Sequence, residues 1–200
     1  METVLIITEK PTACKRIAMA LNDNGKLKEH SEKGVKYFEA ERNGKKLILV
    51  SALGHLYTVA QDGDGWTYPI FKMVWKPSYE VDKSASNTKN FISVIKKLAK
   101  KADQFVNACD YDLEGSVIGY SILKYACGEE SVKQACRMKF STLTKKEIIK
   151  SFENMDSHLD FKMIEAGRTR HEVDWLFGIN LTRALTLSLK RVSGLYKVLS

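Results

Sequence analysis

The feature that most narrows the fold is a pattern met twice along the chain. A short apolar, β-branched run, too brief for a helix, passes directly into acidic residues and then into a helical repeat. Val4-Leu5-Ile6-Ile7 is the first run, with Glu9 just past its end and Pro11 at a helix-opening position. Cys14, Ile17, Ala18 and Leu21 then recur at helical spacing until Asn24-Gly25. A run that is apolar at every position predicts a strand buried on both faces, as in a parallel sheet covered by helices. Gln104 to Cys109 is the second run. It leads into Asp110-Tyr111-Asp112-Leu113-Glu114-Gly115 and then a helix with Val117, Ile118, Ser121, Ile122 and Tyr125 on its inner face. The expected fold class is therefore α/β, a parallel sheet flanked by helices.

The rest of the chain fills in around these units. Val35 to Glu41 and Leu47 to Val50 flank Asn43-Gly44, the strongest short-range hairpin signal. From about Thr58 to Ser86, Gly63, Gly65, Pro69 and Pro77 alternate with Trp66, Tyr68, Phe71, Trp75 and Tyr79, which predicts a long ordered loop pinned by aromatic side chains. Phe91, Val94, Ile95, Leu98 and Ala99 form one helix face, and Ala135 to Phe140 reads as a strand. Thr144-x-x-Glu147 is a capping box opening a further short helix. From about His158 the pattern becomes continuously helical, with Val173, Leu176, Phe177, Leu181, Ala184 and Leu185 making a stripe that needs a partner. A boundary near Asp156 divides a first domain, 1–156, from the start of a helical one, 157–200. The ending at Leu199-Ser200 has no helix stop or polar tail and reads as a break within a longer protein.

Charge points to the partner class. Lys and Arg total 32 against 24 acids, a net charge of +8. Between Lys133 and Lys150 six basic residues face one acid, Glu147, and no acid follows Asp174. Such an excess favours a polyanion, nucleic acid before an anionic membrane surface. No apolar run approaches the roughly 18 residues of a membrane span, and the opening residues lack a secretory pattern, so the expectation is a cytoplasmic protein with no membrane partner. Cys14, Cys109, Cys127 and Cys136 form no C-x-x-C pair or zinc spacing and read as reduced core residues.

Asp110, Asp112 and Glu114 put three carboxylates at the C-terminal end of a strand, the edge where open α/β sheets bind ligands. Two bare carboxylates about 4 Å apart repel by about 4 kcal/mol at an effective dielectric near 20. Convergence there raises their pKa values or recruits a cation, and an all-oxygen set favours Mg²⁺. If the two strands are neighbours, Glu9 reaches the same edge as a fourth carboxylate, placed for acid–base work. The competing reading is that these acids cap helix N-termini.

Thr8-Glu9-Lys10-Pro11 after the first strand and Asp110-x-Asp112-x-Glu114-Gly115 about a hundred residues on together resemble the Toprim domain, with type IA DNA topoisomerases as the most similar subgroup. Gly54-His55-Leu56, Phe140-Ser141-x-Leu143-Thr144, and Glu165-Ala166-Gly167-Arg168-Thr169-Arg170 leading to Asp174 through Arg183 extend the resemblance over nearly the whole chain. It implies an enzyme whose tyrosine, on a later domain, cleaves single-stranded DNA, passes a strand through the break and religates it with Mg²⁺. Carried over by position, Glu9 assists proton transfer. Asp110, Asp112 and Glu114, with Glu9, hold Mg²⁺. Lys10 and Arg170 contact the scissile phosphate, and Arg168 and Arg183 join the DNA-binding set.

Asp112-Leu113-Glu114-Gly115-Ser116 departs from the family's common Asp-Arg-Glu-Gly-Glu and looks like an archaeal version. The family's tyrosine follows a G-R-V-Q-like segment that is not found here, so these residues are expected to depend on the remaining domains of a parent chain and to be inactive alone. Oligomeric state is left open. The alternatives are another Toprim enzyme (a primase or an overcoming-lysogenization-type nuclease), a phospho-receiver-like domain, and a non-catalytic DNA-binding module. A primase or nuclease lacks the Arg170–Arg183 signature, and a receiver carries its acids on the first strand.

Overall fold

In the computed structural model, described for residues 1–25 and 27–193, the first apolar run is strand β1 (Thr3–Thr8), followed by helix α1 (Pro11–Leu21). The chain continues as β2 (Lys28–Glu32), β3 (Val35–Arg42), β4 (Lys45–Ser51), β5 (Tyr57–Gln61) and β6 (Met73–Pro77). Next come α2 (Ser78–Val81), α3 (Thr88–Ala99), β7 (Gln104–Asn107) and α4 (Leu113–Ile122). The described part closes with α5 (Glu129–Gln134), β8 (Cys136–Arg137), α6 (Lys145–Glu153) and α7 (Phe161–Ser193). Leu199-Ser200 lies outside the described residues.

The main sheet has the order β2-β3-β4-β1-β7-β8. Strands β4, β1, β7 and β8 run parallel, and the β2-β3-β4 meander is antiparallel. This is the expected α/β class, a mostly parallel sheet flanked by helices and followed by a helical segment. Alternation along β1 splits the core in two. Val4 and Ile6 pack with Cys14, Ile17 and Leu21 of α1 and Ile148 of α6, whereas Leu5 and Ile7 pack with Ile92, Ile95 and Leu98 of α3 and Ile118 of α4. Because β4 and β7 both pair parallel with β1, all three strands end at one edge of the sheet.

Three local expectations change, and one strand, β2, has no counterpart in the sequence reading. The second run stops as a strand at Asn107, because the Asn107 side-chain oxygen accepts the Cys109 N–H at 3.0 Å and turns the chain out of the ladder. The run from Ala135 keeps only Cys136–Arg137 in the sheet. The stretch from Thr58 to Ser86 is not one loop: β5 and β6 pair antiparallel within it, separated by a connection too long to give a hairpin signature. Strand β2, Lys-Glu-His-Ser-Glu, has no apolar pattern, as suits a charged edge strand.

Helix α7 begins on α4 and reaches β5. Val173, Phe177, Leu181 and Leu185 remain exposed along it. All four cysteines are unpaired, and burial pushes the Cys14 thiol up to about 12.

Candidate functional site

Glu9 and Asp110 follow the ends of adjacent parallel strands, and the backbone holds both. Leu53 donates its N–H to the Glu9 carbonyl at 3.0 Å, which keeps the β1 and β4 ends together. Beyond β7, Arg137 organises the acidic loop from beneath. Its side chain is only 1% exposed, and it donates to the carbonyls of Asn107, Cys109, Asp110 and Met138 at 2.8–3.2 Å. Burial lowers the Arg137 pKa from its ordinary value. Gly115 completes the turn: a Cβ there would run into the Asp110 backbone, including its nitrogen at 2.9 Å.

The side chains then sort themselves by partner. Lys10 Nζ lies 2.7 Å from Asp110 Oδ2 and 3.3 Å from Glu9 Oε1, so one ammonium spans two strand ends. Hydrogen bonds to Asp110 and then to Glu9 raise the Lys10 pKa. Asp112 instead caps α4, accepting the Gly115 N–H at 2.7 Å. That is the capping role weighed against metal binding, and it applies to this one acid of the three. Glu114 stands in the first turn of α4, where His55 and His171 each point Nε2 at its Oε2, at 3.0 and 2.9 Å. Burial works to raise the Glu114 pKa, but the hydrogen bonds from His171 and His55 outweigh it and the net shift is downward. Burial lowers the pKa of His55, against the pull of Glu114.

The histidines arrive by distinct routes. Leu53 and Gly54, both at positive φ (57° and 90°), turn the chain after β4 so that His55 faces back over the sheet edge. His171 is delivered by α7, whose approach to α4 depends on Gly167. A Cβ at that position would meet Val117 Cγ2 at 2.6 Å and the Leu113 carbonyl at 2.9 Å. The same approach brings Arg170 Nη1 to 3.8 Å from Glu114 Oε1, with 62% of its side chain exposed.

The other two arginines are spent on the protein. Arg168 bonds Glu172 and lies over the rings of Trp75 and Tyr120. Arg183 bonds the Thr67 carbonyl and Gln61 and lies over Trp66. In the sequence His55 lies in Gly54-His55-Leu56 and His171 directly follows Arg170, and neither histidine carries a role there. The only available signal was a histidine inside each of two motifs, and their meeting on Glu114 depends on tertiary structure.

A profile described as the Toprim domain matches residues 4–143, a span that includes β1, β7, Glu9 and all three acids of the second loop. The chain belongs to the Toprim family. Among relatives, a protein named DNA topoisomerase 1 from Pyrococcus furiosus is 47% identical over 98% of this chain and 18% of its own length. DNA topoisomerase 1 from Methanocaldococcus jannaschii is 48% identical over 96% of the chain and 24% of its own length. DNA topoisomerase 3 from Staphylococcus haemolyticus is 32% identical over 94% and 26%. This Toprim chain therefore spans 18–26% of the length of these relatives.

The fit of this Toprim site to a divalent cation rests on Lys10. Two carboxylates from neighbouring strand ends already converge on one positive charge, and their donors are all oxygen, as a hard ion such as Mg²⁺ requires. Beside Asp110 a cleft of about 630 Å³ is lined by Tyr111, Lys139, Ser141 and Thr142, next to the same edge.

Proposed function

We propose that this chain is the N-terminal part of a type IA DNA topoisomerase that, with the remaining domains of its parent, cleaves single-stranded DNA, passes a strand and religates the break. The observation that carries the reading is the Lys10 ammonium held between Glu9 and Asp110 inside the Toprim match. The topoisomerase names of relatives up to 48% identical support it. In this reading residues 1–156 are the Toprim unit and 157–200 begin a helical DNA-binding domain.

Mg²⁺ is the proposed cofactor, held by Asp110 with Glu9, Asp112 and Glu114 contributing, and when bound it neutralises phosphate charge. The chain's own groups do the rest. Lys10, with 58% of its side chain exposed, gives up part of its carboxylate pairing to meet a phosphate oxygen. Arg170 offers a guanidinium fork to the same phosphate. Glu9, largely buried beside Lys10, exchanges a proton with the leaving and returning 3′-oxygen. Arg168 and Arg183 add positive charge near the DNA path while holding Trp75 and the Trp66 loop in place.

The attacking tyrosine belongs, in this reading, to a later part of the parent, so the chain alone binds DNA without cutting it. No described helix is long and apolar enough to cross a membrane, and the proposed setting is the cytoplasm, on the nucleoid. The test is Asp110→Ala with Asp112→Ala in the parent enzyme. Magnesium-dependent relaxation should be abolished while single-stranded DNA binding largely persists. Retained relaxation refutes the reading, as does a covalent 5′-linked DNA adduct formed by these 200 residues alone.

A further inference from the structure

His55, Glu114 and His171 each present one ligand atom, and all three atoms lie within 4.8 Å of one another. They come from three separate elements: the turn after β4, the first turn of α4, and α7. Both Nε2 atoms already face the same carboxylate oxygen, at 3.0 and 2.9 Å. Ligand bonds near 2.0–2.2 Å in a tetrahedral ion hold neighbouring ligand atoms about 3.3 Å apart, so the two histidine–carboxylate distances need to open by a few tenths of an ångström while the imidazole nitrogens, no more than 4.8 Å apart, settle around the ion. The rings meet edge to face with centroids 4.9 Å apart, an arrangement that lets both nitrogens converge. About a third of each histidine side chain and 41% of Glu114 are exposed, which leaves an ion a way in.

From this geometry we propose a second cation site, adjoining the Glu9–Asp110 edge and sharing Glu114 with the proposed Mg²⁺ set, in which His55, His171 and Glu114 bind a first-row transition ion such as Zn²⁺ or Co²⁺ and leave a position open to water. Two imidazoles and one carboxylate are a set that borderline ions prefer and Mg²⁺ does not. Arg170, 3.8 Å away, contacts the other oxygen, Oε1, and leaves Oε2 to the histidines. The proposal shares Glu114 with the topoisomerase reading, but its test contains no DNA, so the failure of one is distinguishable from the failure of the other.

The test is a titration of the chain with Co²⁺ followed by visible absorption. The expected result is an intense low-symmetry d–d band that saturates at one equivalent, bleaches with Zn²⁺ and persists in excess Mg²⁺. It lacks sulfur-to-cobalt charge transfer, since the cysteines take no part. His55→Ala and His171→Ala each weaken Co²⁺ binding about tenfold or more, since even outer-shell losses reach about tenfold. Glu114→Gln, which keeps an acceptor for both imidazoles and so preserves the fold, has the same effect with an unchanged circular dichroism spectrum. His30→Ala with His158→Ala retains the band. A chain that gives no band, a band that survives Glu114→Gln or the double alanine variant at 55 and 171, or a band lost with His30 and His158 overturns the proposal.

Discussion

Replacing Arg137 by methionine should destabilise the protein by about 3–5 kcal/mol, the net of leaving three carbonyls without a donor and of no longer stripping a charge of water. The structure gives the reason. The guanidinium is buried with no carboxylate among its hydrogen-bond partners, and it donates to four carbonyls around the acidic loop. After the change the Asn107 carbonyl keeps the Met138 N–H at 3.0 Å, but those of Cys109, Asp110 and Met138 lose the guanidinium. A buried group left without its partner costs about 1–3 kcal/mol. Against this, methionine no longer requires a charge to be stripped of water, which returns part of the loss and keeps the total below a full count of broken bonds. Arg137→Lys keeps the charge but not the planar fork, so it should fall between the two. Urea unfolding with linear extrapolation measures both, with an unchanged slope expected. A loss below about 1 kcal/mol for the methionine variant would refute the idea that Arg137 holds the loop.

Three further outcomes follow from the same geometry. Gly115→Ala should cost about 1–3 kcal/mol in urea unfolding, because its Cβ displaces the Asp110 backbone; an effect within about 0.5 kcal/mol would show that the loop yields freely. Lys10→Met should tighten Mg²⁺ binding to the DNA-free chain, measured by calorimetry, because the competing ammonium is gone, and should weaken single-stranded DNA binding; unchanged Mg²⁺ affinity would contradict the competition. The Cys14 thiol, raised from 9.0 to about 12, keeps its proton in the folded state while the unfolded chain loses it. Stability should therefore fall as pH rises from about 9 to about 12, by about 1.4 kcal/mol per unit from this thiol. Cys14→Ala should lower the slope by that share in unfolding curves run across the window, while the Cys127 thiol, also pushed up to about 12, keeps its own; a slope unchanged by the substitution would assign all of it to other groups.

Much of the fold is readable from local pattern. The all-apolar β1, the Asn43-Gly44 hairpin and the Pro11 helix start each follow from a short-range rule. β2 escapes because a charged edge strand has no hydrophobic period, and β5 with β6 escapes because their pairing spans a long irregular connection. In the site, Glu9 and Asp110 come together as parallel topology implies. Asp112 goes to its helix cap because β7 ends at Asn107 and the chain has already left the sheet. The His55–Glu114–His171 cluster depends on Gly54 turning one chain segment and on Gly167 admitting another. Neither contact has a signature within a few residues of sequence.

The cation seat proposed for this chain lies where β1 and β7 end, at the carboxylates that Lys10 spans. The most direct test is a crystal of the chain with a single-stranded oligonucleotide and Mn²⁺, read by anomalous scattering. An ion bound to a carboxylate oxygen of Asp110, with Glu9 beside it and Lys10 moved onto a phosphate, is the predicted result. Ordered DNA with no ion at Asp110 and the Lys10 pairing intact would contradict it.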